Sequence, residues 1–313
     1  MTLAVLFPGQ GSQRSEFLKA LPASPAVVAT ISESHAILTQ LGIPLEVDSA
    51  TALADTTNVQ VALVIAGVAC ARALTDDHQL KVRYVAGHSV GAFAAAVTVG
   101  ALTLGEALKC IQLRGQLMQH ACRDRRWGMA AIGGLQARRV QALVDEVSSP
   151  DDPLWLSNIN SATQLVVSGT RTALDRARYA SNAAIASTFD ILDVNVASHC
   201  PVQEATAAAL VAELASIPRR PLSGGYITNT GGRRATDAHT VLNDLALSVA
   251  RPVHWYDATR LLPELGVTCA VQVPPGGVLA TLLARNVPSV YSIALAEAGM
   301  QTTARRARRH CDQ

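Results

Sequence analysis

The stretch Gly87-His88-Ser89-Val90-Gly91 constrains the fold of this chain more than any other. Residues 82–86 before it are mainly apolar and read as a short strand. Residues 92–99 after it are an almost unbroken run of Ala, Phe and Val that suits a buried helix. A serine between strand and helix, with a glycine two residues away on each side, can occupy a sharp turn that exposes its hydroxyl. The glycines let neighbouring backbone come close, and the helix N-terminus offers N–H groups to a developing oxyanion. A glycine-bracketed turn without chemistry has the same letters, since G-x-S-x-G often arises by chance.

A strand–turn–helix unit of this kind needs a parallel sheet around it, and the rest of the chain supplies the pattern for one. Residues 3–7 read as a buried strand that ends in the loop Pro8-Gly9-Gln10-Gly11-Ser12-Gln13. A helical region covers residues 24–74 with a break at Gly42-Ile43-Pro44, and a further helix covers 104–120. From Gly128 the rhythm changes to strand 129–132, helix 136–147, strands 154–159 and 165–168, helix 171–186 and strand 189–196. That β-α-β-β-α-β order is the ferredoxin-like pattern. Helix 202–216, strand 226–228, helix 238–249, strand 269–273, helix 277–284 and strand 290–293 then resume the first rhythm. The expected fold is α/β, with a large α/β-hydrolase-like domain (residues 1–126 and 200–313) split by a small ferredoxin-like domain (residues 127–199). A cleft between the two is the default place for a substrate.

Composition narrows the function classes. With 49% of residues apolar and 16% charged, the chain is globular in character, and a net charge of +2 gives no electrostatic case for nucleic acid. Arg305, Arg306, Arg308 and Arg309 near the C-terminus read as a solvated end. Cys70, Cys110, Cys122, Cys200, Cys269 and Cys311 form no CxxC pair and no metal spacing, so they read as reduced thiols of a cytoplasmic protein. The N-terminus has no basic segment ahead of its apolar run, and the apolar residues 62–71 are too few to cross a bilayer.

A serine nucleophile needs a base, and histidine is the usual one. His88 adjoins Ser89, but at a sharp turn its side chain points away from that of Ser89. His199 ends the last strand of the small domain, where the chain returns to the large one. His239 and His254 are rivals, because the histidine of simple serine hydrolases comes late in the chain. Pattern alone leaves these open.

The segments Phe7-Pro8-Gly9-Gln10-Gly11-Ser12-Gln13, Gly87-His88-Ser89-Val90-Gly91 and Ser198-His199-Cys200, with Arg114 between them, together resemble the malonyl-CoA:acyl carrier protein transacylase family. Asn160-Ser161-Ala162-Thr163-Gln164-Leu165-Val166-Val167-Ser168-Gly169 and Arg251-Pro252-Val253-His254-Trp255 are similar to two further segments of that family. The resemblance spans nearly the whole chain, and it implies roles position by position. Ser89 would carry the acyl group and His199 would be its base. The backbone N–H groups of Gln10 and Val90 would form the oxyanion hole, and Arg114 would bind the free carboxylate of the malonyl group. A backbone carbonyl near Ser248 would orient the histidine. Gln60 and Asn160 are weaker candidates for the site wall, where structural amides are equally at home. No metal and no tightly bound cofactor are implied; the substrate would be malonyl-CoA and the acceptor a carrier-protein thiol.

The sequence departs from the family in three places. Ala92 follows the elbow where glutamate is common, Gln60-Val61 stands where QP is common, and Pro274-Pro275-Gly276-Gly277-Val278-Leu279 replaces GPGKVL. Residues 48–54 and 59–69 look more like the acyltransferase (epsilon) subunit of malonate decarboxylase, whose elbow also tends to lack the glutamate. The resemblance therefore implies, as partner, the malonate decarboxylase carrier subunit with its phosphoribosyl-dephospho-CoA arm. The alternatives are a transacylase of fatty-acid or polyketide synthesis using a phosphopantetheine arm, a serine esterase or thioesterase, and a non-enzymatic docking subunit.

Overall fold

The computed structural model describes the backbone of residues 2–311 and the side chains of residues 2–310, so the Cys311 thiol lies outside the described residues. Its strands are β1 (Thr2–Phe7), β2 (Val82–Gly87), β3 (Trp127–Gly133), β4 (Leu154–Ile159), β5 (Gln164–Thr170), β6 (Thr188–Ile191), β7 (Gly225–Ile227), β8 (Arg234–Ala235), β9 (Val267–Gln272) and β10 (Tyr291–Ala294). They form two sheets. The larger has the order β10-β9-β1-β2-β7-β8 and is parallel except for β8, which runs antiparallel to β7. The smaller is antiparallel with the order β4-β5-β3-β6, and its helices Ala137–Val147 and Arg171–Ala183 complete the expected β-α-β-β-α-β sequence of elements.

Strand β1 is apolar along its length because both faces of a parallel sheet are covered. Leu3, Val5 and Phe7 enter one apolar cluster, Ala4 and Leu6 another on the opposite face. A third cluster, built on Ile132, Leu143, Val167 and Leu174, belongs to the small sheet. The helix Thr56–Arg72 starts where the Asp55 carboxylate accepts hydrogen bonds from the N–H groups of Thr57 and Asn58. The helix Leu104–Ala121 starts with a reciprocal cap between Thr103 and Glu106. The two helices pack against each other and hold Gln60 against Arg114.

Several expectations need correction. The strand expected over 189–196 ends at Ile191, because β6 is an edge strand whose pairing with β3 stops at Ala130; Leu192, Val194 and Val196 line a cleft instead. Together with the turn that follows it, the helix containing 62–71 runs Thr56–Asp77, which is long and apolar enough to cross a membrane, but 89% of its most apolar window is buried inside the protein. The helix Trp255–Glu264, which buries Trp255, Ala258, Thr259 and Leu262 along one face, and the short β8 were not among the expected elements. The arginine-rich end is the helix Met300–Cys311: Thr303, Ala304 and Ala307 are buried against the large sheet, while the four arginines are exposed.

Candidate active site

Ser89 sits between β2 and the helix Gly91–Thr98, at the carboxyl edge of the large sheet where the loops after β1 and β7 also emerge. Its φ of 53° lies in the left-handed region, a strain of about 1–2 kcal/mol for a non-glycine residue. Neighbouring glycines make the turn possible. A Cβ on Gly87 would lie 2.2 Å from the Ala92 nitrogen, and one on Gly91 would lie 2.2 Å from the Phe7 carbonyl oxygen. Ala92 is buried in this contact, so the small side chain at that position is the one the packing holds.

His199 arrives from the other end of the insertion, also with a left-handed φ of 59°. Its Nε2 lies 2.8 Å from Ser89 Oγ and its Nδ1 lies 2.5 Å from the Ser248 carbonyl oxygen. A carbonyl can only accept, so Nδ1 carries the proton and Nε2 is free to accept the serine hydroxyl. Burial, with the Arg114 cation adding to it, pushes the His199 pKa down to about 3. The imidazole is therefore neutral near pH 7, with the lone pair of its serine-facing nitrogen free to accept.

Arg114 comes from the helix Leu104–Ala121 and is 1% exposed. Its Nη2 donates to Ser89 Oγ at 3.2 Å and its Nη1 donates to Gln60 Oε1. Among the described residues no carboxylate pairs with it and its Nε is buried without a partner, and burial lowers its pKa to about 10. A buried guanidinium in this state is costly unless an anion joins it.

The open face of Ser89 is a cleft of about 260 Å³ between the two sheets. Gln10 and its loop form one rim, and Met129, Val166, Leu192 and Val194 form an apolar wall opposite. Val90 lies buried at the start of the elbow helix. Asn160 lines the cleft and its Oδ1 lies 3.1 Å from His88 Nε2, so His88 turns away from the serine and toward the small sheet. Gln60 is not part of the wall; it sits behind Arg114, fully buried, because the helix carrying it packs inside the large body. Ser248 contributes through its carbonyl, and its hydroxyl turns back to Leu245.

The rival histidines lie elsewhere. His239 is exposed on its helix, and His254 pairs with Asp257 at 3.1 Å. Cys200, next to His199 in sequence, is buried with its thiol pushed up to about 12, so it is an inert core residue. Among the described residues no group of three or more His, Cys, Asp or Glu is placed to hold a metal ion.

Sequence reasoning missed Asn229. Its side-chain oxygen accepts the Ser89 N–H at 2.9 Å, and its amide nitrogen donates to the Gly87 carbonyl at 2.9 Å. The position two residues past β7, the neighbour of the elbow strand, is the signal that could have found it, since residues beyond the carboxyl ends of parallel strands converge there.

The arrangement can perform nucleophilic acyl transfer: a hydroxyl, a neutral base, and a cation within reach of the same oxygen. Comparison with known proteins agrees. The acyl transferase domain family matches residues 5–306. The malonyl CoA-acyl carrier protein transacylase of Salmonella typhimurium is 32% identical over 296 residues, covering 94% of this chain and 96% of its own length. The solved transacylase of Coxiella burnetii superposes with a TM-score of 0.91 at 28% identity, covering 99% of this chain and 98% of that one. A malonyl-transacylase solved in complex with a type II polyketide acyl-carrier protein superposes with a TM-score of 0.87 at 27% identity over 100% of both chains. With the match running almost end to end, the chain belongs to the acyl transferase domain family and is an acyltransferase.

Proposed function

We propose that the protein moves a malonyl group from malonyl-CoA to the thiol of a carrier-protein prosthetic arm, through an ester on Ser89. The observation that carries this reading is Arg114, a buried cation with no carboxylate partner among the described residues, whose Nη2 lies 3.2 Å from Ser89 Oγ. A malonyl group bound as a thioester keeps one free carboxylate, and a guanidinium fork pairs with such a group in two places.

His199 Nε2 takes the Ser89 proton as Oγ attacks the thioester carbonyl, and the carbonyl electron pair moves onto its oxygen. The N–H groups of Gln10 and Val90 hold that oxyanion; the Ser89 N–H is already engaged by Asn229. Collapse breaks the C–S bond, and the CoA sulfur leaves with the proton from His199. In the second half the acceptor thiol gives its proton to His199 and attacks the ester, and Ser89 regains the proton as it departs. The Ser248 carbonyl steadies the imidazolium formed in each half. Every proton and electron pair is accounted for without a metal or a resident cofactor.

We further propose that the chain divides into domains at 126/127 and 199/200, which the separate membership of the two sheets supports. As acceptor we propose the carrier subunit of malonate decarboxylase, on the strength of residues 48–54 and 59–69 and of Ala92 after the elbow. The names of the relatives favour a fatty-acid or polyketide carrier as the second reading. A cytoplasmic setting suits the CoA thioester and six cysteines without a CxxC spacing. The test offers malonyl-Ser89 enzyme to both carriers. Preferential loading of the decarboxylase carrier is expected; exclusive loading of the fatty-acid carrier overturns that acceptor, and rapid hydrolysis with neither loaded overturns transfer itself.

A further inference from the structure

Strand β2 pairs with β7 through Tyr84↔Gly225, Val85↔Tyr226 and Ala86↔Ile227, and there the ladder stops. Past that point the elbow turns away, which leaves the Gly87 carbonyl and the Ser89 N–H beyond the last backbone partner on that side. The Asn229 side chain takes both groups: its amide nitrogen donates to Gly87 O and its oxygen accepts from Ser89 N. Neither orientation but this one satisfies a carbonyl and an N–H together, so the sense of the amide is fixed by its partners. On the opposite side the His88 N–H donates to the Phe7 carbonyl at 2.9 Å, so the elbow is gripped from both neighbouring strands.

Asn229 is itself held. Asp244, 3% exposed, accepts from the Asn229 N–H at 2.9 Å, the Tyr226 hydroxyl at 2.8 Å, and the Thr230 N–H and hydroxyl at 2.9 and 2.8 Å. The Asn229 carbonyl accepts the His254 N–H at 2.8 Å. A buried carboxylate with four donors fixes the backbone from which the amide reaches the elbow. A left-handed serine persists only where its surroundings over-determine it, and these bonds supply that constraint.

We infer that Asn229, anchored by Asp244, is a positioning residue that holds Ser89 in its strained, reactive conformation by extending the sheet's hydrogen bonding around the nucleophile. It also takes the Ser89 N–H out of the set available to the oxyanion. This rests on the reading of Ser89 as the nucleophile and does not depend on which acyl group it carries.

The experiment compares wild type, Asn229→Ala and the milder Asp244→Asn. It measures the single-turnover rate of Ser89 acylation by malonyl-CoA, the fraction of chains that become acylated by intact mass, and the KM. The same rates are taken with a fluorophosphonate, which reads serine reactivity whatever the natural donor. Asn229→Ala is expected to slow acylation about 100-fold per competent site, with full stoichiometry and an unchanged KM. Asp244→Asn is expected to slow it about tenfold. A per-site rate equal to wild type, with all loss in the fraction acylated, would mean a merely structural role and overturns the inference. If Asn229→Ala does not fold, an unchanged rate in Asp244→Asn overturns it. If wild type reacts with the fluorophosphonate but not with malonyl-CoA, the proposed substrate fails and the fluorophosphonate rates still decide the role of Asn229. If wild type reacts with neither, Ser89 is no nucleophile and both readings fall.

Discussion

On the large-sheet side of the cleft, Ser89 and His199 both have left-handed backbones, glycines leave no room for a methyl group, and Arg114 is buried without an anion. On the small-sheet side, Met129, Val166, Leu192 and Val194 present an apolar wall, and the chain leaves the edge-strand pairing after the Leu192 N–H donates to the Met129 carbonyl at 3.0 Å. A pair of arginines sharpens the contrast. Arg220, out of the cleft, meets both oxygens of Glu106 at 2.7 and 2.8 Å, and that carboxylate raises its pKa. Among the described residues Arg114 has only neutral partners, and burial lowers its pKa to about 10. Strain and an unmatched charge are concentrated where bonds are to be made, and the other wall contributes shape.

The sharpest way to break this contrast is Ser89→Ala, which should abolish the malonyl adduct seen by intact mass; an adduct in that variant would place the nucleophile elsewhere. Next is Arg114→Ala, which should lower the preference for malonyl over acetyl donors by about 2 kcal/mol or more, read as the ratio of kcat/KM values. An unchanged ratio would remove Arg114 from substrate selection.

His199 gives a prediction in pH. The unfolded histidine binds a proton below about pH 6.5, whereas the folded one does so only near a pKa of about 3. The stability tied to its neutral form is therefore complete above pH 6.5 and is lost as pH falls toward 3. Urea unfolding of wild type and His199→Gln at several pH values should show a shallower loss for the variant between pH 6.5 and 4. In the same terms, the wild-type acylation rate should lack an inflection near pH 6.5. The smallest effect is expected on the apolar wall: Leu192→Ala should raise KM about fivefold and leave kcat unchanged. A fall in kcat there would show that the soft wall also positions the reacting atoms.

The letters around Ser89 made the elbow legible by themselves, whereas only the resemblance to a family singled out His199 from its rivals and made Arg114 a candidate. The helical and strand rhythm was legible wherever an element buries one or both faces, as in β1 and the helix Leu104–Ala121. What stayed hidden depends on partners far along the chain. The 189–196 segment has the alternation of a strand, yet its register with β3 ends at Ala130 although β3 runs back to Trp127, and no letter in the segment marks that point. Gln60 looks like a wall residue until the packing of two helices puts it behind Arg114. Asn229 bonds to backbone 140 residues away, and a side chain serving backbone leaves no spacing to read.

The contact between Cys122 and Ala197 has a consequence for how activity is acquired. The Ala197 N–H points at the Cys122 sulfur at 3.4 Å, so the chain leaves the large body and returns to it at adjacent points. Ser89 and His199 are 110 residues apart, and bringing them together means closing a long loop. Once the insertion has folded on its own local contacts, that loop shortens to roughly a third, which lowers its closure cost by about 1 kcal/mol. Bringing Ser89 and His199 together is thus easier by about that amount once the small sheet has formed.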